Sequence, residues 1–189
     1  QSDFIFFLIS RLLIFMALAT VQTFALFYLK DVAGVANPAT ATADLLIAAG
    51  MGMLVAVYPA GLLSDRFGRR LVAVFSGLLG ACGILVIFFS PSYGYIVFGG
   101  TVLGIATGAF MSSSWALATD LVALGEEAKY LGLTNLATAG GAALARLIGP
   151  AIDFFNTCSP GLGYQVMLGA CFIYFVAGSF LLIKVKGQR

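Results

Sequence analysis

Six long stretches almost free of charge run between Phe4 and Lys184, and no other feature restricts the fold as tightly. They cover Phe4–Leu29, Ala43–Leu63, Leu71–Phe89, Tyr95–Thr119, Leu131–Phe155 and Tyr164–Lys184. A helix crossing the roughly 30 Å hydrocarbon core needs about 20 apolar residues, so each stretch can span. Inside lipid every backbone N–H and C=O must be paired within the segment, so these stretches are helices and not strands. Composition agrees. Charged residues make up 10% of the chain and hydrophobic ones 61%, where a soluble domain carries about 25% charged residues. The expectation is an all-α polytopic membrane protein whose 189 residues form a single six-helix unit.

The same figures exclude whole classes of function. A net charge of +2, with no Lys/Arg cluster interleaved with aromatics, gives no nucleic-acid partner. Histidine is absent, which removes the commonest metal ligand and general base. Cys82 and Cys171 lie inside apolar runs, where a buried and inert thiol is expected, and Cys158 has no obvious partner. With no paired-carboxylate motif and no nucleophile beside a base, neither an enzyme nor a cofactor is expected. The first apolar run is too long for the core of a signal peptide. The chain begins at Gln1 and is read as a piece of a longer protein.

Orientation follows from the cations. With both termini cytoplasmic, the inner segments hold Arg66, Arg69, Arg70, Lys129, Lys184, Lys186 and Arg189, while the outer loops hold only Lys30. This asymmetry places both ends of the segment on the cytoplasmic side of the plasma membrane. The outer loops Asp31–Thr42, Ser90–Gly94 and Asn156–Gly163 are too short for an extracellular domain. Small residues recur at steps of four: Gly100, Gly104 and Gly108; Gly141, Ala145 and Gly149; Gly52, Ala56 and Ala60. In lipid such ladders let helix backbones approach closely. No internal repeat of 20–50 residues is visible.

The connection after the second stretch reads Gly61-Leu62-Leu63-Ser64-Asp65-Arg66-Phe67-Gly68-Arg69-Arg70. Gly68 permits a positive φ and hence a short turn. Arg66, Arg69 and Arg70 hold the loop inside and can reach lipid phosphates. Asp65 is not needed for topology. Beside arginines it points either to a salt-bridge network that forms and breaks, or to nothing beyond an ordinary positive-inside loop.

Gly61, Asp65, Arg66, Gly68, Arg69 and Arg70 meet every fixed position of the signature between the second and third helices of the major facilitator superfamily, which this chain resembles. Further likeness lies in Arg11, Gln22, Leu26–Val32, Thr119-Asp120-Leu121-Val122 and Ala128–Asn135, which are similar to the carboxy-terminal half of members allied to sugar–cation symporters. The resemblance implies one six-helix half of a twelve-helix transporter, with Asp65 and Arg69 in a cytoplasmic charge cluster that latches the outward-facing state. A latch must differ in its contacts between the two states, since equal contacts shift nothing.

Polar residues inside the spans are the remaining candidates. Gln22 follows Arg11 by eleven residues, returning within about 20° of the same helix face. Asn135, Arg146 and Asp153, separated by eleven and seven residues, form one stripe on the fifth span. Ionisable groups in hydrocarbon are costly and mark pathways, pairs or snorkelling ends. Pro150 beside Gly149 weakens the helix between Arg146 and Asp153. Arg11, Gln22, Asn135 and Arg146 are therefore read as solute contacts and Asp153 as the group coupled to an ion. Trp115 is either an interfacial anchor or a stacking platform for a sugar.

The functional expectation is secondary active transport of a small solute by alternating access, a sugar and a proton or cation being the leading pair. No Gly-x-x-x-x-Gly-Lys pattern is present, which favours a gradient over ATP. The expected partners are the solute, the bilayer and a missing amino-terminal half. Two rivals stand: a six-helix homodimer, and a non-transporting membrane factor that handles a pigment or lipid.

Overall fold

A computed structural model describes residues 2–122 and 125–185; Lys186 and Arg189, counted above among the inner cations, lie outside them. The elements run α1 (Ser2–Asp31), α2 (Pro38–Phe67), α3 (Arg69–Phe89), α4 (Tyr93–Leu121), α5 (Glu127–Ala145), a 3-10 turn (Arg146–Ile148), α6 (Gly149–Cys158) and α7 (Leu162–Lys184). Among the described residues six helices are long and apolar enough to cross a membrane, α5, the turn and α6 making the fifth. No strand occurs among the described residues.

The spans are longer than the apolar stretches alone suggest, because capping continues them into polar sequence. The α2 helix starts at Pro38, where a missing N–H costs nothing, and the Thr40 amide donates to the Asn37 side chain at 3.3 Å. At its other end α2 runs through Phe67. The signature expected to be a loop is therefore mostly helical. Asp65 and Arg66 close α2, Arg69 and Arg70 open α3, and Gly68 alone turns the chain, at φ 100° and ψ 134°. That conformation excludes a Cβ, although the surrounding space is open. Gly68→Ala is expected to cost about 1–3 kcal/mol, read as a lower thermal midpoint.

The break in the fifth span has a similarly local cause. Pro150 has no N–H to offer the Arg146 carbonyl, and the Gly149 amide bonds it instead, tightening one turn to 3-10 geometry.

An order invisible in the sequence appears in how the spans pair. The α1 helix packs on α5 and α7, as α4 packs on α2 and α3, and α3 packs on α7. Exchanging the first three spans with the last three maps this pattern onto itself. Because three is odd, the second triplet enters the membrane from the opposite side, which is an inverted-topology repeat. Two small-residue seams join one triplet to the other. A Cβ at Gly104 or Gly108 would overlap the carbonyls of Ala49 or Met53 on α2, and one at Gly52 would lie 2.8 Å from the Thr101 carbonyl oxygen. In the other seam a Cβ at Gly141 would lie 2.6 Å from the Leu12 carbonyl oxygen. The cysteines divide differently from expectation. Cys171 is buried, but Cys82 is exposed on α3, because its helix turns that face away from α4 and α7.

Candidate functional site

Arg11 is the most enclosed charge in the bundle, 1% exposed within α1. Nine residues into the helix, it lies about 14 Å from the first turn, too deep for the guanidinium to reach water there. Its Nε donates to Thr138 Oγ1 on α5 at 2.9 Å, and its Nη1 to Ser114 Oγ on α4 at 2.6 Å. The guanidinium carbon lies 4.8 Å from the Trp115 ring centre and 5.0 Å from that of Phe15. Both distances suit a cation–π contact. Among the described residues no carboxylate pairs with it. Arg11 therefore ties α1, α4 and α5 at one point through uncharged partners. Trp115 thus carries the Arg11 guanidinium against its ring.

The other intramembrane candidates are distributed differently. Gln22 is exposed and lines a groove of about 150 Å³ between α1, α2 and α4, with Leu18, Leu45, Met53, Leu103 and Thr107. Asn135, Arg146 and Asp153 are all exposed, on α5, the 3-10 turn and α6. The structure thus brings Arg11 together with Trp115, and leaves Gln22, Asn135, Arg146 and Asp153 on the surface of the bundle. Neither Arg146 nor Asp153 forms an ion pair among the described residues, so the two do not pair with each other. Among those residues there is also no group of three metal-ligating side chains.

At the arginine-bearing end, Arg69 pairs with Asp120 at the end of α4 and donates to the Ala116 carbonyl at 2.9 Å. Arg70 donates to the Val185 carbonyl at 2.8 Å, tying α3 to the end of α7. Asp65, expected to join Arg69 in one network, is exposed and makes no ion pair among the described residues. The reason is helical geometry: the turn at Gly68 directs Arg69 along α4, away from the last turn of α2. Gly61 faces α4 closely, a Cβ there lying 3.4 Å from Ser112 Oγ.

At the opposite end, Tyr164 near the start of α7 donates to Asp31, the last residue of α1, at 2.5 Å. Under the exchange of triplets, α3 corresponds to α7 and α4 to α1. The Tyr164–Asp31 tie is therefore the counterpart of the Arg69–Asp120 tie at the other membrane face. Each follows a positive-φ glycine, Gly161 at 85° and Gly68 at 100°. Nothing local in the sequence marks Thr138, Phe15, Ser114 or Tyr164 as a partner, and Asp31 and Asp120 stand in the resembling runs without a role. The only signal available was the matching sequence Gly then helix start, too short to find by inspection.

Six membrane-spanning helices in two interlocked triplets, with charged ties at both ends and polar groups in the spans, define a polytopic integral membrane protein. The chain belongs to the Major Facilitator Superfamily, whose family profile matches residues 4–189. It is 28% identical over 102 residues to the minor myo-inositol transporter IolF of Bacillus subtilis, covering 54% of this chain and 22% of that protein. It is 30% identical over 121 residues to a triacylglyceride transporter of Mycolicibacterium hassiacum, covering 64% of this chain and 23% of the relative. A triacylglyceride transporter of Mycolicibacterium smegmatis is 35% identical over 103 residues, covering 54% and 18%. These matches span about a fifth of the length of each relative.

Proposed function

We propose that this chain is one six-helix half of a twelve-helix secondary transporter that moves a small solute, a sugar or polyol first, by alternating access. In this reading its partner is an amino-terminal half, both ends of the segment are cytoplasmic, and the membrane is the plasma membrane. The observation that carries it is the set of polar side chains (Gln22, Asn135 and Arg146) exposed on spans otherwise built for lipid. Such groups are costly against hydrocarbon and favour a face turned to a water-filled cavity. Arg11 and Trp115 stand one layer behind that face and position α1 against α4 and α5. Asp153 serves as the ion-coupling acid, and Asp65 with Arg69 and Arg70 serves as the gate.

The test is uptake by the full-length protein in liposomes, with labelled myo-inositol and a proton gradient. Accumulation that Gln22→Ala or Arg146→Ala lowers at least tenfold supports the reading. Undiminished uptake in both variants overturns the assignment of that face. Asp153→Asn is expected to abolish gradient-driven accumulation while sparing exchange of labelled for unlabelled solute.

A second reading, a lipid solute, is favoured by the groove beside Gln22, whose lining is otherwise apolar except for Thr107. Two of the relatives named above are triacylglyceride transporters. Transfer of a labelled triacylglyceride between vesicles, without myo-inositol uptake, would select it. In either case Asp120→Asn separates gating from folding. Its pair with Arg69 is about one-third exposed on each side, so its loss costs under about 1 kcal/mol, while uptake is expected to fall several-fold.

A further inference from the structure

We propose that the groove between α2 and α3 is a binding site for an anionic phospholipid, with an acyl chain in the groove and the phosphate on Arg66. The groove has a volume of about 600 Å³ and a floor formed by Ile105 and Ala109 of α4. Leu63 and Phe67 of α2 face Leu71 and Phe75 of α3 across it, and all four are exposed. Its one hydroxyl, on Ser76, donates to the Val72 carbonyl at 2.6 Å, so no part of the wall calls for a polar ligand.

The dimensions match a single leaflet. Along α2 the lining runs from Val55 to Phe67, about 18 Å at 1.5 Å per residue. Half of a hydrocarbon core is about 15 Å. The groove therefore begins near mid-membrane and ends where Arg66, Arg69 and Arg70 mark the boundary.

Charge at that mouth selects the headgroup. Arg69 is engaged by Asp120 and Ala116, and Arg70 by Val185. Arg66 has neither a hydrogen bond nor an ion pair among the described residues, and its guanidinium carbon lies 5.7 Å from the centre of the Phe67 ring that lines the groove. Asp65 precedes it, but neighbouring residues on a helix point about 100° apart and do not share a partner. One uncommitted cation thus stands over an apolar slot one acyl chain long. A juxtamembrane arginine attracts anionic headgroups. The site does not depend on which solute is moved; it needs the groove to face lipid in the full-length protein.

The test uses the purified full-length protein in detergent with phosphatidylglycerol bearing a photoreactive group on an acyl chain, and the same probe built on phosphatidylcholine. Adducts are expected on α2 between residues 55 and 67 and on α3 between 71 and 79, several-fold more abundant with phosphatidylglycerol. Arg66→Gln, at an exposed position, is expected to bring the phosphatidylglycerol signal down to that of phosphatidylcholine. Adducts confined to other helices would mean that another part of the protein covers the groove, and would overturn the proposal. Equal labelling by both lipids, unchanged in Arg66→Gln, would remove the role of Arg66 and overturn it equally.

Discussion

Gly104→Ala is expected to be among the most destabilising single-atom-group additions this bundle can receive. The added Cβ would overlap the Ala49 backbone carbonyl, which belongs to a helix and cannot rotate away as a side chain can. The α2 and α4 axes must then separate along their whole seam, which also carries Gly52 and Gly108. Overpacking of this kind costs about 1–3 kcal/mol, and more where backbone must move. In lipid there is little hydrophobic drive to hold the separated helices together, so the lost dispersion contacts are not replaced. The measurement is the thermal midpoint of the purified full-length protein, expected to fall by several degrees. Gly132→Ala is the control. Nothing lies within 4 Å of a Cβ there, so the same change in a helix interior is expected to stabilise by about 0.5–1 kcal/mol. Similar midpoints for the two variants would show that the α2–α4 seam is not close-packed.

Arg11 gives the second large effect, and here stability and activity should part. Two opposing terms decide the outcome. Hydrogen bonds to a charged group are worth about 1.5–3 kcal/mol each, but burying an arginine without an acid partner costs several kcal/mol of desolvation. Removing the guanidinium leaves no partner stranded, because Thr138 Oγ1 also donates to the Thr134 carbonyl at 3.1 Å and Ser114 Oγ to that of Met111 at 3.4 Å. Arg11→Met keeps most of the volume, so its midpoint is expected to stay within a few degrees of wild type. Uptake by the full-length transporter is expected to drop at least tenfold, since α1, α4 and α5 lose their common point of attachment. Arg11→Lys should recover little, because an ammonium lacks the planar fork that reaches Ser114 and Thr138 together. Arg11→Ala adds a cavity and should lower stability by about 2–5 kcal/mol as well. Full uptake in Arg11→Met would sink the idea that this tie serves transport.

Much of the architecture was legible because lipid imposes one rule on every span. Apolar length alone located the six helices, since unpaired backbone is not tolerated there. Their ends were less legible. Asn37 and Pro38 read as a loop signal, yet they cap α2, and the Gly61–Arg70 segment read as a loop although only Gly68 leaves the helical path. Turn-forming residues and capping residues are the same chemical types, and only the hydrogen bond to Thr40 separates the two roles.

The candidate site was legible in part and for a different reason. Arg11 and Trp115 stand 104 positions apart, so nothing in periodicity could bring the ring over the guanidinium. The exposed positions of Asn135, Arg146 and Asp153 likewise depend on which face of the fifth span α1 covers.

By itself the sequence determined the class of solvent, the number of spans, the side that carries the arginines, and the turn at Gly68, because each depends on local length, charge or backbone freedom. The tertiary structure decided which charges meet. Arg69 chose Asp120 over the nearby Asp65, Tyr164 found Asp31, and Arg66 was left uncommitted over an apolar groove. Those outcomes follow from helix packing, which fixes distances between residues that the chain itself holds tens to over a hundred positions apart.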